Sequence, residues 1–286
     1  MIPDLTNINV VKKICNDYGF RFKKGLGQNF LCDEDAVLSI IEGANIDKNT
    51  SVIEIGPGFG SLTCHLLKYA KKVTSIEIDD TLIPILKDIF SECDNFNIIN
   101  EDVLKLDLND IIDDDNTVVV ANLPYYITTP VITYLLEGNF NLKSITVMVQ
   151  KEVAQRLTAT PDNKNYGAIT CLIDYHTDSK IIVDVPSSSF IPAPKVDSAV
   201  VKMDILKEKR VLPKDEKLFF KLIKASFSQR RKTFLNGIYN SNILNIKKEE
   251  LENIFTGLGY DKLTRGETLS VYDFAKISDA LKAKER

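Results

Sequence analysis

Residues 51–60 read Ser51-Val52-Ile53-Glu54-Ile55-Gly56-Pro57-Gly58-Phe59-Gly60, and a helix-forming stretch follows from Ser61 to Ala70. A β-prone run that breaks at glycines and resumes as a helix is the start of a parallel α/β unit, because parallel strands need a crossover between them. The glycines permit a tight turn and let the backbone approach a ligand without Cβ clashes. Their spacing is G-x-G-x-G rather than the G-x-G-x-x-G of dinucleotide enzymes, which disfavours a nicotinamide-dependent oxidoreductase.

Glu54 is poorly placed to cradle a pyrophosphate. It suits a cationic cofactor with an amino acid moiety, such as S-adenosyl-L-methionine, although the loop alone leaves another nucleotide-binding sheet open. The next strand, Lys72–Ile76, runs into Glu77-Ile78-Asp79. Glu77 lies about where the second strand of such a unit sets an acid on ribose hydroxyls, the alternative being a surface acid at a strand end. Phe96–Asn100 forms the third strand and ends at Glu101-Asp102, where Asp102 is placed to accept from an adenine amino group or to serve as a turn aspartate. Helices are expected at Val10–Tyr18, Ala44 back to an N-cap at Asp33, and Thr81–Ser91, with Pro84 tolerated in a first turn. The acidic run Asp107–Asp115 reads as a solvated loop without a role.

The fourth strand, Val118–Ala121, delivers Asn122-Leu123-Pro124-Tyr125-Tyr126 to the sheet's carboxyl edge, where ligands bind in open α/β folds. An exocyclic amine on a nucleobase is a poor nucleophile because its lone pair is delocalised into the ring. The Asn122 side-chain carbonyl and a main-chain carbonyl of the turn can accept its N–H bonds and localise that pair. Pro124 fixes φ and removes a donor, leaving carbonyls of Leu123 and its neighbours to point at the base. Tyr125 offers a stacking face. Taken alone, the tetrapeptide is equally an ordinary Asn/Pro turn. Further on, a helix is expected from Thr129 to Leu136, a fifth strand at Ser144–Val149 and a helix at Lys151–Leu157. Tyr166–Tyr175, Lys180–Val185 and Ser198–Ile205 read as later, antiparallel strands. Phe190, opening the proline-stiffened Phe190–Asp197 loop, is either a second stacking ring opposite Tyr125 or a core aromatic.

Length and charge divide the chain. Its 286 residues allow two modest domains, and from Leu206 onward 18 Lys and Arg face 11 Asp and Glu, within a net charge of −4. A catalytic domain over 1–205 and a helical, basic domain over 206–286 are the expected units, the second suited to docking on a polyanion. Its helices are expected around Leu218–Phe227, Lys247–Phe255 and Ser270–Leu281. Two cationic segments stand out: the arm Phe20–Leu31, with Arg21, Lys23 and Lys24, and the cluster Ser228–Asn236, with Arg230, Arg231 and Lys232. Interleaved bases and aromatics suit single-stranded nucleic acid, and a solvated basic arm fits the same composition. Five scattered cysteines and two histidines offer neither a disulfide framework nor a metal site. No apolar run approaches a membrane span and the N-terminus lacks signal-peptide character, so a cytoplasmic protein is expected.

Taken in order, Gly27–Leu31, Glu54–Gly60 with Leu62-Thr63, Glu77–Asp79, Asp102, Asn122–Ile127, Phe190–Val200 and Phe227–Asn236 resemble the ribosomal RNA adenine N6-dimethyltransferases over essentially the full length. Tyr125-Tyr126, the Phe190–Ser198 stretch and the Ser228–Lys232 block resemble the branch acting on 16S rRNA rather than the 23S methylases of macrolide resistance. The resemblance implies a Rossmann-like, S-adenosyl-L-methionine-dependent α/β fold with helices on both faces and an all-helical C-terminal domain. It also implies site roles. Asn29, Leu31, Gly56, Gly58, Glu77, Asp102 and Asn122 would border the cofactor, and Asn122–Tyr125 with Phe190 the target base. The implied substrate is a pair of adjacent adenosines near the 3′ end of 16S rRNA in an immature small ribosomal subunit; a monomer is expected, and the few cysteines and histidines make metal catalysis an unexpected route. A non-catalytic RNA-binding assembly factor on the same fold is the remaining alternative, and an intact cofactor loop with its Asn-Leu-Pro-Tyr turn argues against it.

Overall fold

The computed structural model describes residues 2–23, 25, 27–229, 231–241, 243–244 and 246–284. The chain opens with α1 (Ile8–Asp17), the two-residue strand β1 (Phe30–Leu31) and α2 (Glu34–Ala44). Asp33 caps α2 by accepting the Ala36 N–H at 3.1 Å, as its position before an apolar face predicts. Then β2 (Ser51–Ile55), α3 (Ser61–Tyr69), β3 (Lys72–Glu77), α4 (Ile83–Ile89), β4 (Phe96–Asn100), β5 (Thr117–Asn122), α5 (Thr128–Glu137) and β6 (Ser144–Gln150) alternate along the chain. The β-branched runs form the parallel strands, and β2 and nearly all of β5 are buried, as a sheet covered on both faces requires.

After α6 (Lys151–Leu157) and α7 (Ala168–His176), β7 (Thr177–Val185), β8 (Phe190–Ile191) and β9 (Ser198–Ile205) complete the strands. The large sheet has the order β4-β3-β2-β5-β6-β9-β7, with β9 antiparallel to β6. From β2 the chain winds outward through β3 and β4 on one side, then resumes beside β2 with β5 on the other. That reversal opens a crevice at the carboxyl ends of β2 and β5. A separate small sheet pairs β1 with β8, setting Phe30 opposite Ile191 and Leu31 opposite Phe190.

Contacts divide the chain into two units. One comprises the chain up to Ala154 together with Ser179–Ile205; the other comprises Gln155–Asp178 and the chain from Leu206 onward. Residues 155–178, expected in the first domain, therefore pack within the second unit. Tyr166–Tyr175 also differs from expectation: it contributes helix α7 rather than a strand. Cys171, Leu172 and Tyr175 are buried at i, i+1 and i+4 spacing, a helical face that a short run of β-prone residues conceals.

The second unit is helical from α8 (Glu216–Ser228) through α9 (Phe234–Asn240), α10 (Lys248–Gly257) and α11 (Val271–Lys284). Its core joins Tyr166 and Tyr175 to Phe219, Leu222, Phe234, Phe255 and Phe274. Helix α9 was not expected from the sequence, because the cationic run before it hides the apolar turn that Thr233 caps. Among the described residues no helix is long and apolar enough to cross a membrane.

Candidate active site

The crevice at the strand ends is a cleft of about 280 Å³, lined by the β2 turn, the end of β3, the Glu101–Leu104 segment, the Asn122–Ile127 turn and the arm residues Gly27–Leu31. Gly56, at φ +71°, opens it. A Cβ there would project toward the Asn122 carbonyl, 3.8 Å away, and narrow the space. At Gly58, φ +59°, a Cβ would sit 2.6 Å from the Phe30 ring, so only glycine lets the turn close under the arm.

Two buried carboxyls face this space. Glu54 is 1% exposed, and its Oε2 accepts from the Thr63 and Ser75 hydroxyls, each at 2.7 Å. Burial pushes its pKa up to about 7, against those two bonds and with a small addition from the Glu77 charge. Glu77, 6% exposed at the end of β3, accepts the Asp79 N–H at 2.8 Å and the Gly58 N–H at a long 3.4 Å. Burial lifts it to about 7 as well. A carboxylate with so much unused acceptor capacity and little solvent is underpaired, and hydroxyl donors in the cleft would complete it. Asp102 also lines the cleft, and its Oδ1 caps Leu104 N at 3.1 Å as a turn aspartate.

Asn122 ends β5. Its Nδ2 donates to the Asn29 carbonyl at 3.1 Å, which orients the amide and leaves its oxygen as the acceptor available to a ligand. The Pro124 carbonyl is taken by the turn, accepting from Ile127 N at 3.1 Å and from the Thr128 hydroxyl at 3.4 Å. Leu123, also in the cleft lining, donates its N–H to the Met148 carbonyl at 3.3 Å. The Tyr125 hydroxyl lies 3.3 Å from Ser198 Oγ. The antiparallel β6–β9 register, which ends at Gln150 opposite Ser198, brings that serine to the same edge.

Several predicted residues sit elsewhere or do something else. Phe190 is 4% exposed, packs in the core from β8 and is absent from the cleft lining of the ligand-free chain. Lys23 is tied down rather than free for phosphate: its Nζ lies 2.7 Å from Asp79 Oδ1 and 3.2 Å from Asp80 Oδ1. Gln28 joins that brace, donating to Asp79 Oδ2 at 2.6 Å and accepting the Lys23 N–H at 2.9 Å. The arm's aromatics also turn inward, with Phe20 and Phe30 each 4.8 Å from the Phe59 ring. Replacing Lys23 with alanine is therefore expected to raise amide exchange across residues 20–31 in the ligand-free protein. Unchanged exchange would show that the ion pair does not hold the arm.

Arg21 is exposed with no ion pair among the described residues. Lys24 and Arg230 lie outside the described residues. Arg231 and Lys232 are exposed in the helical unit and likewise unpaired among the described residues. The brace of Gln28 and Asp79 was missed in the sequence, since neither residue signals its partner some fifty positions away. Ser198 was visible only as the first residue of a strand.

Residues 19–279 match the family described as ribosomal RNA adenine dimethylase. A ribosomal RNA small subunit methyltransferase A of Clostridium botulinum (strain Kyoto / Type A2) is 51% identical, covering 94% of this chain and 98% of its own. The protein of the same name from Clostridium acetobutylicum is 49% identical, over 94% and 97%. Among solved structures, a dimethyladenosine transferase from Plasmodium falciparum superposes with a TM-score of 0.75 at 28% identity, covering 90% of this chain and 98% of its own. The 23S rRNA methyltransferase ErmE gives 0.69 at 23% identity over 89% and 100%, a likeness of fold alone.

Proposed function

The chain belongs to the ribosomal RNA adenine dimethylase family, and from that premise we propose that it dimethylates N6 of two adjacent adenosines in a hairpin loop near the 3′ end of 16S rRNA. The observation that carries the reading is Asn122, its Oδ1 left as an acceptor by the Nδ2–Asn29 bond, in the lining of a cleft that also holds two buried acids. S-adenosyl-L-methionine, when bound, supplies an electrophilic methyl on a sulfonium centre. The residues fit it: Glu77 for the ribose hydroxyls, Asp102 for the adenine amine, and the Gly56–Gly58 turn near Glu54 for the amino acid end. Asn29 and Leu31 close the cleft from the arm side.

The protein's own contribution is alignment. Asn122 Oδ1 and Leu123 O accept the two N6–H bonds, pulling the lone pair out of conjugation and toward the methyl. Orientation of this kind contributes about 7–11 kcal/mol in favourable cases. No general base is needed, because the amine proton becomes acidic once nitrogen carries the new bond, and Asn122 Oδ1 already holds that hydrogen. Extruding the base costs a few kcal/mol, and stacking on Tyr125 returns about 1–3 kcal/mol. The Ser198 hydroxyl sets the tilt of that ring.

The substrate is the rRNA of an assembling small subunit in the cytoplasm, approached by a monomer, with Arg231 and Lys232 on its phosphates. Charge reversal of this pair is expected to weaken subunit binding and to lower the log–log salt slope by about 1.5–2, leaving cofactor affinity unchanged. Loss of cofactor binding in that variant would assign the cluster to the fold. The function itself is tested by transfer of tritiated methyl from S-adenosyl-L-methionine to immature small subunits. N6,N6-dimethyladenosine recovered from the 3′ region of 16S rRNA is the expected product. Label confined to 23S rRNA, or none, would defeat the proposal.

A further inference from the structure

The turn that carries Tyr125 presents a second ring that the reaction as described does not use. Tyr126 is 58% exposed and lines the same cleft. Among the described residues its hydroxyl has no hydrogen-bond partner and its ring no aromatic neighbour. Gly27, at φ +60°, lies close enough that a Cβ would stand 3.6 Å from the ring's Cδ1 and Cε1, and equally close to Pro124 Cβ. The arm thus passes near the ring, which stays largely open to solvent at the cleft. A large aromatic left in water gains little for the fold. It matches the requirement of a nucleic acid whose stack has just been opened.

When one base leaves a single-stranded loop for a pocket, the next base loses its stacking partner. Two consecutive rings on the protein meet two consecutive bases on the RNA. We propose that Tyr126 is the platform on which the adenine next to the target stacks, so that the cleft has a second, purine-holding subsite at its rim. The proposal rests on the substrate reading above. Tyr125 holds the base under reaction, and Tyr126 holds its neighbour in reach of the same turn until the two exchange places. Lys23, engaged by Asp79 and Asp80, takes no part, and the subsite reads a base face rather than a phosphate.

The test uses small subunits assembled with 16S rRNA in which one of the paired adenosines is replaced by guanosine or by uridine. Methyl transfer to the remaining adenosine is followed in a single turnover below saturation. Wild-type protein is expected to treat the guanosine subunit within about twofold of the unaltered one and the uridine subunit about tenfold more slowly, the size of a lost purine stack. Tyr126→Phe keeps that preference. Tyr126→Ala slows the adenosine and guanosine subunits to the uridine rate, which erases it. A purine preference that survives Tyr126→Ala, or its absence in the wild type, overturns the subsite. So does a fall in cofactor affinity in Tyr126→Ala, because the ring would then serve to brace the arm. Wild-type protein that labels none of the subunits defeats the substrate reading instead, and this proposal with it.

Discussion

Asn122→Ala is expected to reduce single-turnover methylation at least about 100-fold while S-adenosyl-L-methionine affinity changes little. The size follows from removing one positioned hydrogen-bonding group from a reaction that depends on alignment. The split follows from geometry. Asn122 Nδ2 holds the Asn29 carbonyl, and in the proposed reading its oxygen serves the incoming amine, whereas Glu77 and Asp102 hold the ribose and adenine ends of the cofactor. Asn122→Asp gives an informative contrast. It keeps an acceptor but loses the donor to Asn29, so part of the rate should return while the arm loosens. Near-normal turnover in the alanine variant would leave the Leu123 carbonyl as the sole aligning group and remove the case for Asn122.

Glu77→Gln is expected to weaken cofactor binding by roughly 10- to 150-fold at pH 8, the worth of a hydrogen bond to a charged acceptor of about 1.5–3 kcal/mol. The effect must shrink at lower pH. Burial pushes Glu77 and Glu54 up to about 7, so below that pH the wild-type carboxyls hold protons that the ligand must displace. Wild-type affinity should fall by up to about tenfold per pH unit below 7 and level off above it, with the glutamine variant flatter. Titration calorimetry at pH 6, 7 and 8 reads both. Equal affinities for wild type and Glu77→Gln at pH 8 would take the ribose away from this residue.

Stability without ligand runs the other way. A buried carboxyl whose folded pKa stands near 7, above the ordinary 4.5, binds a proton that the unfolded chain has released. Its contribution is present below about 4.5 and is lost as pH rises through 7. The ligand-free protein should therefore melt lower at pH 8 than at pH 6, and cofactor should recover more of that loss at pH 8. The brace acts in a different window. Burial alone would raise Asp79, but Lys23, Thr81 and Gln28 outweigh it and hold the carboxyl below 3.8, so its contribution disappears only in stronger acid.

Much of the cleft was legible one motif at a time. Gly56, Gly58, Glu77, Asp102 and Asn122 lie at strand ends or in the turns after them, and strand ends are visible as the points where β-branched runs stop. Position in an α/β sheet then supplies the rest, since every parallel strand delivers its last residue to the same edge. Phe190 and Lys23 look freer in the sequence than they are in the fold, for a common reason. An aromatic beside prolines and a lysine beside glycines look free in one dimension, and only β8 pairing with β1, or Asp79 arriving at the end of β3, removes that freedom.

The strand–glycine–helix start at residues 51–70 and the alternation of β-prone runs with helical stretches after it were enough to determine a parallel sheet and the order of the turns at its carboxyl edge, because those depend on backbone sterics and side-chain period. What tertiary structure alone decided are the partners across long separations: Asn122 with Asn29, Gln28 and Lys23 with Asp79, Tyr125 with Ser198, Gly27 beneath Tyr126. The allocation of residues 155–178 to the helical unit belongs with them. Such contacts arise from the register of strands and the packing of faces, and a polar side chain carries no local mark of which distant donor or acceptor the fold will bring to it.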